Sequence, residues 1–452
     1  MDKPLNREIL RLSVPSILAN LTVPLVGMVD TALAGHLPGG EAAALIGGIS
    51  VGSMLLNLLY WSFAFLRTGT GGLTAQAFGR QDPRGCARIF ARGLVLALAS
   101  AVLLLAIQVP FARLAMLPVK ASPRVCEAAL RYFFIRIWAA PATLALMVMR
   151  GWFVGMQDSM SSMWTDLVVN LVNIAASAVL SFGAFGWGGM GFDGIAAGSI
   201  VAQYSGLLFT LAVCGVKYRR RVLGTLTRSD LALVFRWSEL RPFLRMNANL
   251  MGRSVCFTVI YMGYTAIAAG FGDVLLACSS IMMQLMMVFS YFTDGFAYAG
   301  EALAGRFIGA RDESMLRRTV RYVFAWSMGI AVVFVGLYAL LGVDAMKLFT
   351  SDAEVAGTCA LFLPWLLVMP PIGCAAFTWD GIYLGATASG SLFAAMAGAM
   401  VSFLAVWLAL RHLAVPGTPA CLHVLLAAYF AHLAFRTLWL TVMYRRKVNI
   451  EP

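Results

Sequence analysis

Charged residues are scarce in this 452-residue sequence, because Asp, Glu, Lys and Arg together make up only 12% of it. A water-soluble domain needs a charged surface, so this composition excludes an ordinary soluble fold. The four histidines lack the spacing of a metal site, and no CxxC or HExxH motif occurs. The eight cysteines lie singly in or near apolar runs, as small buried hydrophobic residues do. The sequence therefore predicts neither a metal centre nor a redox site.

Apolar residues, in contrast, form 60% of the sequence and give a mean hydropathy of +0.81. Apolar runs of roughly 20 residues, long enough to cross a bilayer, recur along the chain. We therefore predict an all-α polytopic membrane protein with twelve transmembrane helices. They are expected near residues 10–34, 44–76, 90–112, 127–152, 163–185, 193–216, 246–270, 275–305, 319–342, 358–384, 390–411 and 421–444.

The net charge of +13 indicates membrane topology rather than nucleic-acid binding. When arginines near the helix ends are counted with the adjoining connection, the even-numbered connections and the two termini carry 24 Lys and Arg residues, whereas the odd-numbered connections carry 6. Cytoplasmic loops are enriched in Lys and Arg, so both termini are expected in the cytoplasm. The first residues lack the features of a cleaved signal peptide. We therefore expect a retained first helix and a multi-pass protein of the inner or plasma membrane.

The two halves of the sequence align when the first is shifted by 230 positions. FGRQD at 78–82 then meets IGARD at 308–312, and RGWFVGMQDS at 150–159 meets DGIYLGATAS at 380–389. Each half has an even number of spans, so the halves share one orientation and are expected to be related by a pseudo-two-fold axis along the membrane normal. We predict two six-helix lobes, an N-terminal lobe at 1–217 and a C-terminal lobe at 246–452.

A basic linker at 218–245 is expected to join the two lobes. The longest polar stretch, Lys217 to Arg245, carries eight basic residues. Within it, SDLALVFRWSEL at 229–240 predicts either a short amphipathic helix on the cytoplasmic surface or an unstructured basic segment.

The first apolar run, at 12–37, contains Pro15, Pro24 and one carboxylate, Asp30. A carboxylate at the centre of a membrane costs roughly 2.5–3.5 kcal/mol on insertion scales, so it is expected to face the protein interior or an aqueous cavity. The alternative is that Asp30 caps the helix or lies near its end at the membrane surface. Proline removes a helical hydrogen bond, so both prolines are candidates for bending.

Polar residues on the fifth and sixth predicted helices are candidate partners of Asp30. Asn170, Asn173 and Ser177 are spaced three and four apart and share one helix face, and Ser199 and Gln203 follow on the next helix. Such a face lines a cavity or joins neighbouring helices. If these helices adjoin the first one, their amides and hydroxyls would allow Asp30 to load and release a proton.

Other ionisable residues in the predicted spans are functional candidates as well, although structural pairing explains any one of them alone. They are Arg67, Arg136, Asp166, Arg253, Asp294, Glu301, Asp380 and Arg436. A methionine cluster on the eighth span suits a cavity for varied apolar ligands, or forms ordinary packing surface. From these features we take Met286, Met287, Tyr291, Asp294 and Asp380, together with Asn170 and Gln203, as substrate-cavity candidates.

Several long motifs resemble the MATE (multidrug and toxic compound extrusion) transporters of the DinF type. They are VPLVGMVDTALAGHL in the first span, FLRTGTGGLTAQAFGR in the second, DGFAYAGEALAGRFIGARD in the eighth and DGIYLGATAS in the tenth. The resemblance covers nearly the whole chain. It implies two six-helix lobes around a central cleft and antiport, in which a proton or sodium ion enters while an organic, often cationic, drug leaves.

The resemblance also implies roles for single residues. Pro15 and Asp30 match the proline and acid of the family's first helix, and Asn173, Ser177 and Ser199 match its polar cluster. Many sodium-binding relatives carry a second acid at the position of Ser177, so its absence favours a proton over sodium as the coupling ion. Asp380 matches an acid used in the C-terminal lobe of other branches.

The function that we expect is a proton-coupled multidrug exporter, with sodium coupling at Asp30 as one alternative. Another alternative is a flippase of a lipid-linked or anionic substrate, which would recruit arginines to its cleft. We expect no enzymatic activity, no metal or cofactor other than the coupling ion, and no nucleic-acid partner. The expected partners are small organic cations or drugs and the lipid bilayer, and the expected state is a monomer.

Overall fold

The computed structural model describes residues 3–37, 42–117, 119, 121–183, 188–227, 230, 234, 236–347, 349–350, 352–415 and 417–448. The secondary structure within these residues is nearly all helical and contains no strand. Twelve spans in this described part are long and apolar enough to cross a membrane. The predicted all-α polytopic fold is therefore confirmed.

The helices of the first half are α1 (Lys3–Gly35), α2 (Ala42–Ser62), α3 (Phe65–Gly79), α4 (Pro83–Met116), α5 (Pro123–Arg136), α6 (Ala140–Gly155), α7 (Ser159–Phe182) and α8 (Phe192–Val213). Those of the second half are α9 (Trp237–Ala268), α10 (Asp273–Gly309), α11 (Glu313–Lys347), α12 (Ala353–Ala360), α13 (Leu363–Gly385), α14 (Ser389–Leu410) and α15 (Ala420–Lys447). Most helices extend beyond the predicted bounds, because their polar end turns continue the helix past the apolar stretch.

Three of the predicted helices are interrupted. The second span divides into α2 and α3 at residues 63–64, where turn-type bonds such as Leu66 N–H to Phe63 O (3.0 Å) replace the helical pattern. The fourth divides into α5 and α6 at a 3₁₀ turn, just before Pro141, which has no N–H to continue an α-helix. The tenth predicted helix divides into α12 and α13, and Pro364 lies in the first turn of α13.

The chain forms two compact units. One contains Met1–Ile17 and Leu244–Pro452, and we call it the C-terminal unit; the other, Leu18–Phe243, is the N-terminal unit. Residues 1–17 therefore belong with the C-terminal unit, although the predicted lobe bounds assign them to the first lobe. The lobe bounds remain a prediction about functional domains.

Side chains from the start of α1 are bonded within the C-terminal unit. Glu8 forms an ion pair with Arg306 of α10. The Trp326 indole Nε1–H of α11 donates to Asn6 Oδ1 at 2.8 Å. These contacts and its apolar residues tie the beginning of α1 to α10 and α11.

Close helix contacts at glycine recur in the two units. A Cβ atom on Gly151 of α6 would lie 2.1 Å from the backbone oxygen of Arg67 in α3, and a Cβ on Gly381 of α13 would lie 2.0 Å from that of Ala297 in α10. No larger residue fits at these two crossings without separating the helices. Both members of the second contact lie 230 positions after those of the first. The helix crossing therefore repeats at the shift that aligns the two halves of the sequence.

Left-handed backbone turns recur in the same way. Among the described residues, the non-glycine residues with positive φ are Gln81 (56°), Gln157 (62°), Arg311 (56°) and Thr387 (54°). They form two pairs that are again 230 positions apart, and each lies in the short turn before the next helix. The duplication thus extends to the geometry of the connecting turns.

One of these turns is closed by a buried carboxylate. Asp158 accepts hydrogen bonds from the Ser161 hydroxyl (2.5 Å), the Lys217 Nζ (2.6 Å) and the Tyr218 hydroxyl (2.6 Å). Burial alone would raise the pKa of Asp158, but the hydrogen bonds from Lys217, Ser161 and Tyr218 outweigh it and hold the pKa below its usual value. We call these four residues the Asp158 clamp; it ties the start of α7 to the end of the sixth span.

Five of the twelve residues of the predicted amphipathic segment at 229–240 lie outside the described residues, and residues 237–240 form the start of α9. The described part of the linker includes Asp230, which accepts from the Thr227 hydroxyl at 2.7 Å. This bond and a second one, from the Asp230 amide to the Thr227 hydroxyl oxygen, form a local turn.

Candidate functional site

Asp30 lies near the C-terminal end of α1 in the N-terminal unit, and its residue surface is only 1% exposed. The Tyr132 hydroxyl of α5 donates to Asp30 Oδ2 at 3.4 Å, and Ser177 of α7 also lies within interaction distance of the carboxyl. In the described structure the other oxygen, Oδ1, is buried without a hydrogen-bond partner. Asp30 is thus inside the unit rather than at a solvated helix end, and one carboxyl oxygen is left to take a proton or an ion.

Tyr132 in turn accepts a hydrogen bond from Arg136, one helical turn further along α5. The distance from Arg136 Nη1 to the Tyr132 hydroxyl is 2.5 Å, and the guanidinium carbon lies 5.4 Å from the centre of the tyrosine ring. Spacing of four residues places both side chains on one face of the helix. Arg136, Tyr132 and Asp30 therefore form a hydrogen-bonded chain, which we call the Asp30 chain.

The predicted polar residues of α7 and α8 lie where these two helices contact each other, and Ser177 also interacts with Asp30. Asn173 Nδ2 donates to Ser199 Oγ at 2.9 Å, and Ser177 Oγ donates to the Ile195 carbonyl oxygen at 3.2 Å. The two helices approach closely because Gly198 has no side chain: a Cβ there would lie 2.4 Å from Ser177 Oγ. The structure thus brings Asn173, Ser177 and Ser199 together.

The other two polar candidates of this unit have separate surroundings. Asn170 is half-buried, and its Nδ2 donates to Thr22 Oγ1 of α1 at 2.6 Å. Gln203 of α8 is also half-buried, and its Oε1 atom is buried without a hydrogen-bond partner among the described residues. Asn170 therefore links α7 to α1, whereas Gln203 retains an acceptor for a ligand or water.

Pro15 and Pro24 both lie within the continuous helix α1. Because proline has no N–H, the carbonyl oxygens of Arg11 and Asn20 each lose the usual helical donor. The backbone stays α-helical through both sites, from Lys3 to Gly35. Bending at Pro15 and Pro24 therefore stays a prediction.

The methionine candidates of the C-terminal unit lie on α10. Met286 is 1% exposed and belongs to the apolar core of that unit, packed with Phe289 and other buried residues. Met287, Tyr291 and Asp294 are half-buried. Their assignment to a substrate cavity stays a prediction, and Met286 has the surroundings of a packing residue.

Asp380 of α13 is held by two arginines of the C-terminal unit. Arg253 of α9 forms an ion pair with Asp380 Oδ2, and Arg436 Nη2 of α15 lies 3.0 Å from the same oxygen. Arg436 is 2% exposed, and its guanidinium carbon lies 5.2 Å from the Phe377 ring centre. A cationic ligand at Asp380 would have to compete with both guanidinium groups. The sequence marks Arg253 and Arg436 as charges within the membrane, but it does not indicate their shared partner.

Known proteins with similar sequences agree with this architecture. The MatE family model matches residues 15–179 and 250–408 of the chain. The chain is 33% identical over 442 residues to DNA damage-inducible protein F of Escherichia coli, with 98% of this chain and 92% of that protein covered. It is 25% identical over 365 residues to a probable multidrug resistance protein NorM of Photorhabdus laumondii, with coverage of 77% and 75%.

Solved structures agree with the fold. A crystal structure of MATE in the bent conformation superimposes with a TM-score of 0.83 at 16% sequence identity, covering 98% of this chain and 97% of that one. A crystal structure of MATE in the straight conformation gives the same TM-score, 0.83, at 17% identity, covering 98% and 96%. Together with the twelve candidate membrane spans among the described residues, the family match and the relative from Escherichia coli define a polytopic membrane transporter. The chain belongs to the MATE family of multidrug and toxic compound efflux transporters.

Proposed function

We propose that the protein is a proton-coupled antiporter that exports lipophilic, often cationic, organic compounds by alternating access. The observation that carries this proposal is the buried Asp30 carboxyl, which has one oxygen in the Asp30 chain and one without a partner among the described residues. An ionisable group inside a membrane helix bundle is expensive to retain without a function. Its surroundings contain the hydroxyl groups of Tyr132 and Ser177, which stabilise either protonation state.

In the proposed cycle Asp30 takes up a proton from the outer side. Neutralisation weakens the charge-assisted hydrogen bond from Tyr132, which releases the end of α1. The helix then bends at Pro15 or Pro24, where a backbone hydrogen bond is already missing. Bending reduces the drug cavity and expels the drug; loss of the proton restores the straight helix and drug loading. The two structural neighbours, one bent and one straight, support such a motion.

Sodium coupling is the alternative for the same site. Sodium is a hard cation that prefers several oxygen ligands with compensating negative charge, as calcium and magnesium do. Ser177 supplies a hydroxyl where a second carboxylate would favour sodium, so Asp30 alone provides negative charge. This set of oxygen ligands supports a proton rather than sodium as the coupling ion.

Efflux in proteoliposomes tests the proposal. A fluorescent cation is loaded, and a pH gradient or a sodium gradient is imposed separately at fixed values of the other. We expect the wild type to respond to the pH gradient and the Asp30→Asn variant to lose that response. Asp344→Asn is the matched control, since Asp344 is an exposed partner of Lys347. Unchanged drug-driven proton movement in Asp30→Asn, or efflux driven by sodium at constant pH, would contradict proton coupling at Asp30.

Export of an anionic or lipid-linked substrate is a second candidate, favoured by the two arginines around Asp380. A substrate carboxylate or phosphate would pair with Arg253 and Arg436 in place of Asp380, whose Oδ2 atom contacts both guanidinium groups. Competition assays separate the two candidates. If lipid phosphates reduce dye efflux more strongly than organic cations do, the anionic substrate class is correct.

We further propose that the protein acts as a monomer in the inner membrane with both termini in the cytoplasm, and that it is not an enzyme. The distribution of Lys and Arg supports this orientation. One GxSxG pattern does occur, at residues 48–52, but it lies inside helix α2. A hydrolase nucleophile requires this motif at a strand-to-helix turn. Labelling of cysteines placed at either terminus from one side of the membrane checks the orientation.

A further inference from the structure

The Asp30 chain contains a permanent positive charge close to the coupling carboxyl. Arg136 Nη1 lies 2.5 Å from the Tyr132 hydroxyl, which lies 3.4 Å from Asp30 Oδ2. These two distances place the guanidinium within about 6 Å of the carboxylate, a range at which charges act strongly away from water. Arginine does not deprotonate in proteins, so this charge is present throughout the transport cycle.

We propose that Arg136 is the residue that determines the coupling ion, by making the Asp30 site selective for a proton over sodium. The inference rests on the proposed role of Asp30 as the coupling acid. Arg136 acts on Asp30 through Tyr132, so it is a positioning residue.

The charged and titratable groups around Asp30 come from three elements. Among the described residues, Arg136 is the charged side chain that interacts electrostatically with Asp30, and Tyr132 on the same helix is hydrogen-bonded to Asp30. Tyr60 of α2 interacts with Arg136 and Tyr132, and α7 contributes the neutral Ser177. A cation entering this site therefore meets one carboxylate whose negative charge is already balanced by one guanidinium.

Ligand count separates the proton from sodium. A proton needs a single oxygen, and Asp30 Oδ1 has no hydrogen-bond partner in the described structure. Sodium needs several oxygens at once. The Tyr132 oxygen is unsuited to it, because that oxygen accepts from Arg136 and directs its own hydrogen toward Asp30 Oδ2. Arg136 thus both supplies the balancing charge and removes the Tyr132 oxygen from a sodium coordination shell.

The test measures sodium binding by the purified full-length protein, independently of transport. Thermal unfolding is recorded at pH 7.5 over a range of NaCl concentrations, with choline chloride as the control for ionic strength. We expect the wild type to have the same unfolding temperature in both salts. We expect Arg136→Gln to gain a sodium-specific increase in unfolding temperature that the wild type lacks over the whole range of concentrations.

Three variants make the result specific. Arg136→Lys keeps the charge and is expected to remain insensitive to sodium. Arg131→Gln removes an arginine from the same helix, one paired with Asp193, and is also expected to remain insensitive. Asp30→Asn combined with Arg136→Gln is expected to lose the acquired response, which shows that sodium binds at Asp30.

A sodium-specific shift in the wild type would overturn the inference, and this result does not depend on whether any variant folds. The inference is also wrong if Arg136→Gln does not respond to sodium, or if Arg136→Lys responds equally. Arg136→Met provides the uncharged variant if Arg136→Gln does not fold. The proposed function has its own test. It is wrong if Asp30→Asn retains proton-driven efflux, whatever the response of Arg136→Gln to sodium.

Discussion

Asp158 offers the sharpest test of how the turns between helices are stabilised. Replacing it with Asn removes the negative charge from the Asp158 clamp but keeps the shape of the side chain. Ser161 and Tyr218 donate to it at 2.5 and 2.6 Å in a buried site, and a hydrogen bond to a charged group contributes about 1.5–3 kcal/mol. Lys217 is 53% exposed, so its ion pair adds only about 0.2–1 kcal/mol. Since Asn still accepts one of these bonds, we expect a loss of about 2–3 kcal/mol near neutral pH.

The pH dependence of this loss has a defined sign. The folded state holds the pKa of Asp158 below its usual value of about 3.8, so the ionised carboxylate stabilises the protein at all pH values above the unfolded-state pKa. This contribution decreases as the pH falls below about 3.8 and through the folded-state pKa. The difference between wild type and Asp158→Asn should therefore be constant from about pH 8 to 5 and shrink in stronger acid.

The assay is unfolding of the detergent-solubilised protein, followed by the fluorescence of a thiol-reactive dye or by circular dichroism, at a series of pH values. Asp344→Asn is the control, because Asp344 is 72% exposed and its pair with Lys347 should contribute almost nothing. Equal stability of Asp158→Asn and the wild type at pH 7.5 would refute the argument. A difference that persists undiminished in strong acid would show that shape rather than charge is responsible.

Three further predictions concern packing, helix capping and bending. Gly151→Ala should lower stability by about 1–3 kcal/mol, because its Cβ would lie 2.1 Å from a backbone oxygen, whereas Gly329→Ala, with no atom within 4 Å, should be neutral in the same unfolding assay. Asp312→Ala should lower the free energy of unfolding by about 1 kcal/mol at pH values above the lowered pKa of the carboxyl, because the Met315 amide and the Ser314 hydroxyl lose their acceptor; the same unfolding assay measures it. Pro15→Ala should restore a helical donor and slow drug efflux at least severalfold without reducing drug binding, as measured by efflux and equilibrium binding; equal efflux would exclude bending at Pro15.

The membrane fold was predictable from the sequence because the hydrocarbon core imposes long apolar helices. The repeat was predictable because close helix crossings tolerate only glycine, so Gly151 and Gly381 stand at equivalent positions. The breaks between α2 and α3 and between α5 and α6 were not predicted. The first contains no proline or glycine at residues 63–64, and the second depends on how Pro141 terminates one helical pattern and begins another.

The candidate site was only partly predictable. Helix periodicity grouped Asn173 with Ser177, since it defines neighbours on one helix. Tyr132 and Arg136 were not connected to Asp30, because periodicity does not reveal which residue of another helix lies opposite. The spacing of four between Tyr132 and Arg136 was a usable signal for an aromatic–arginine pair, but only the tertiary structure brings it to α1. The same reason explains why two arginines converge on Asp380 without an obvious sequence pattern.

The assignment of Met1–Ile17 to the C-terminal unit has a consequence for work with separated halves of the protein. Cutting the chain in the linker would give two fragments of nearly equal length, but the second would lack Glu8 and Asn6, the partners of Arg306 and Trp326. That fragment would expose apolar surface and tend to aggregate when expressed alone. Co-expression of both fragments, or a second copy of the first seventeen residues fused ahead of Leu244, would be needed to recover a correctly assembled half in detergent.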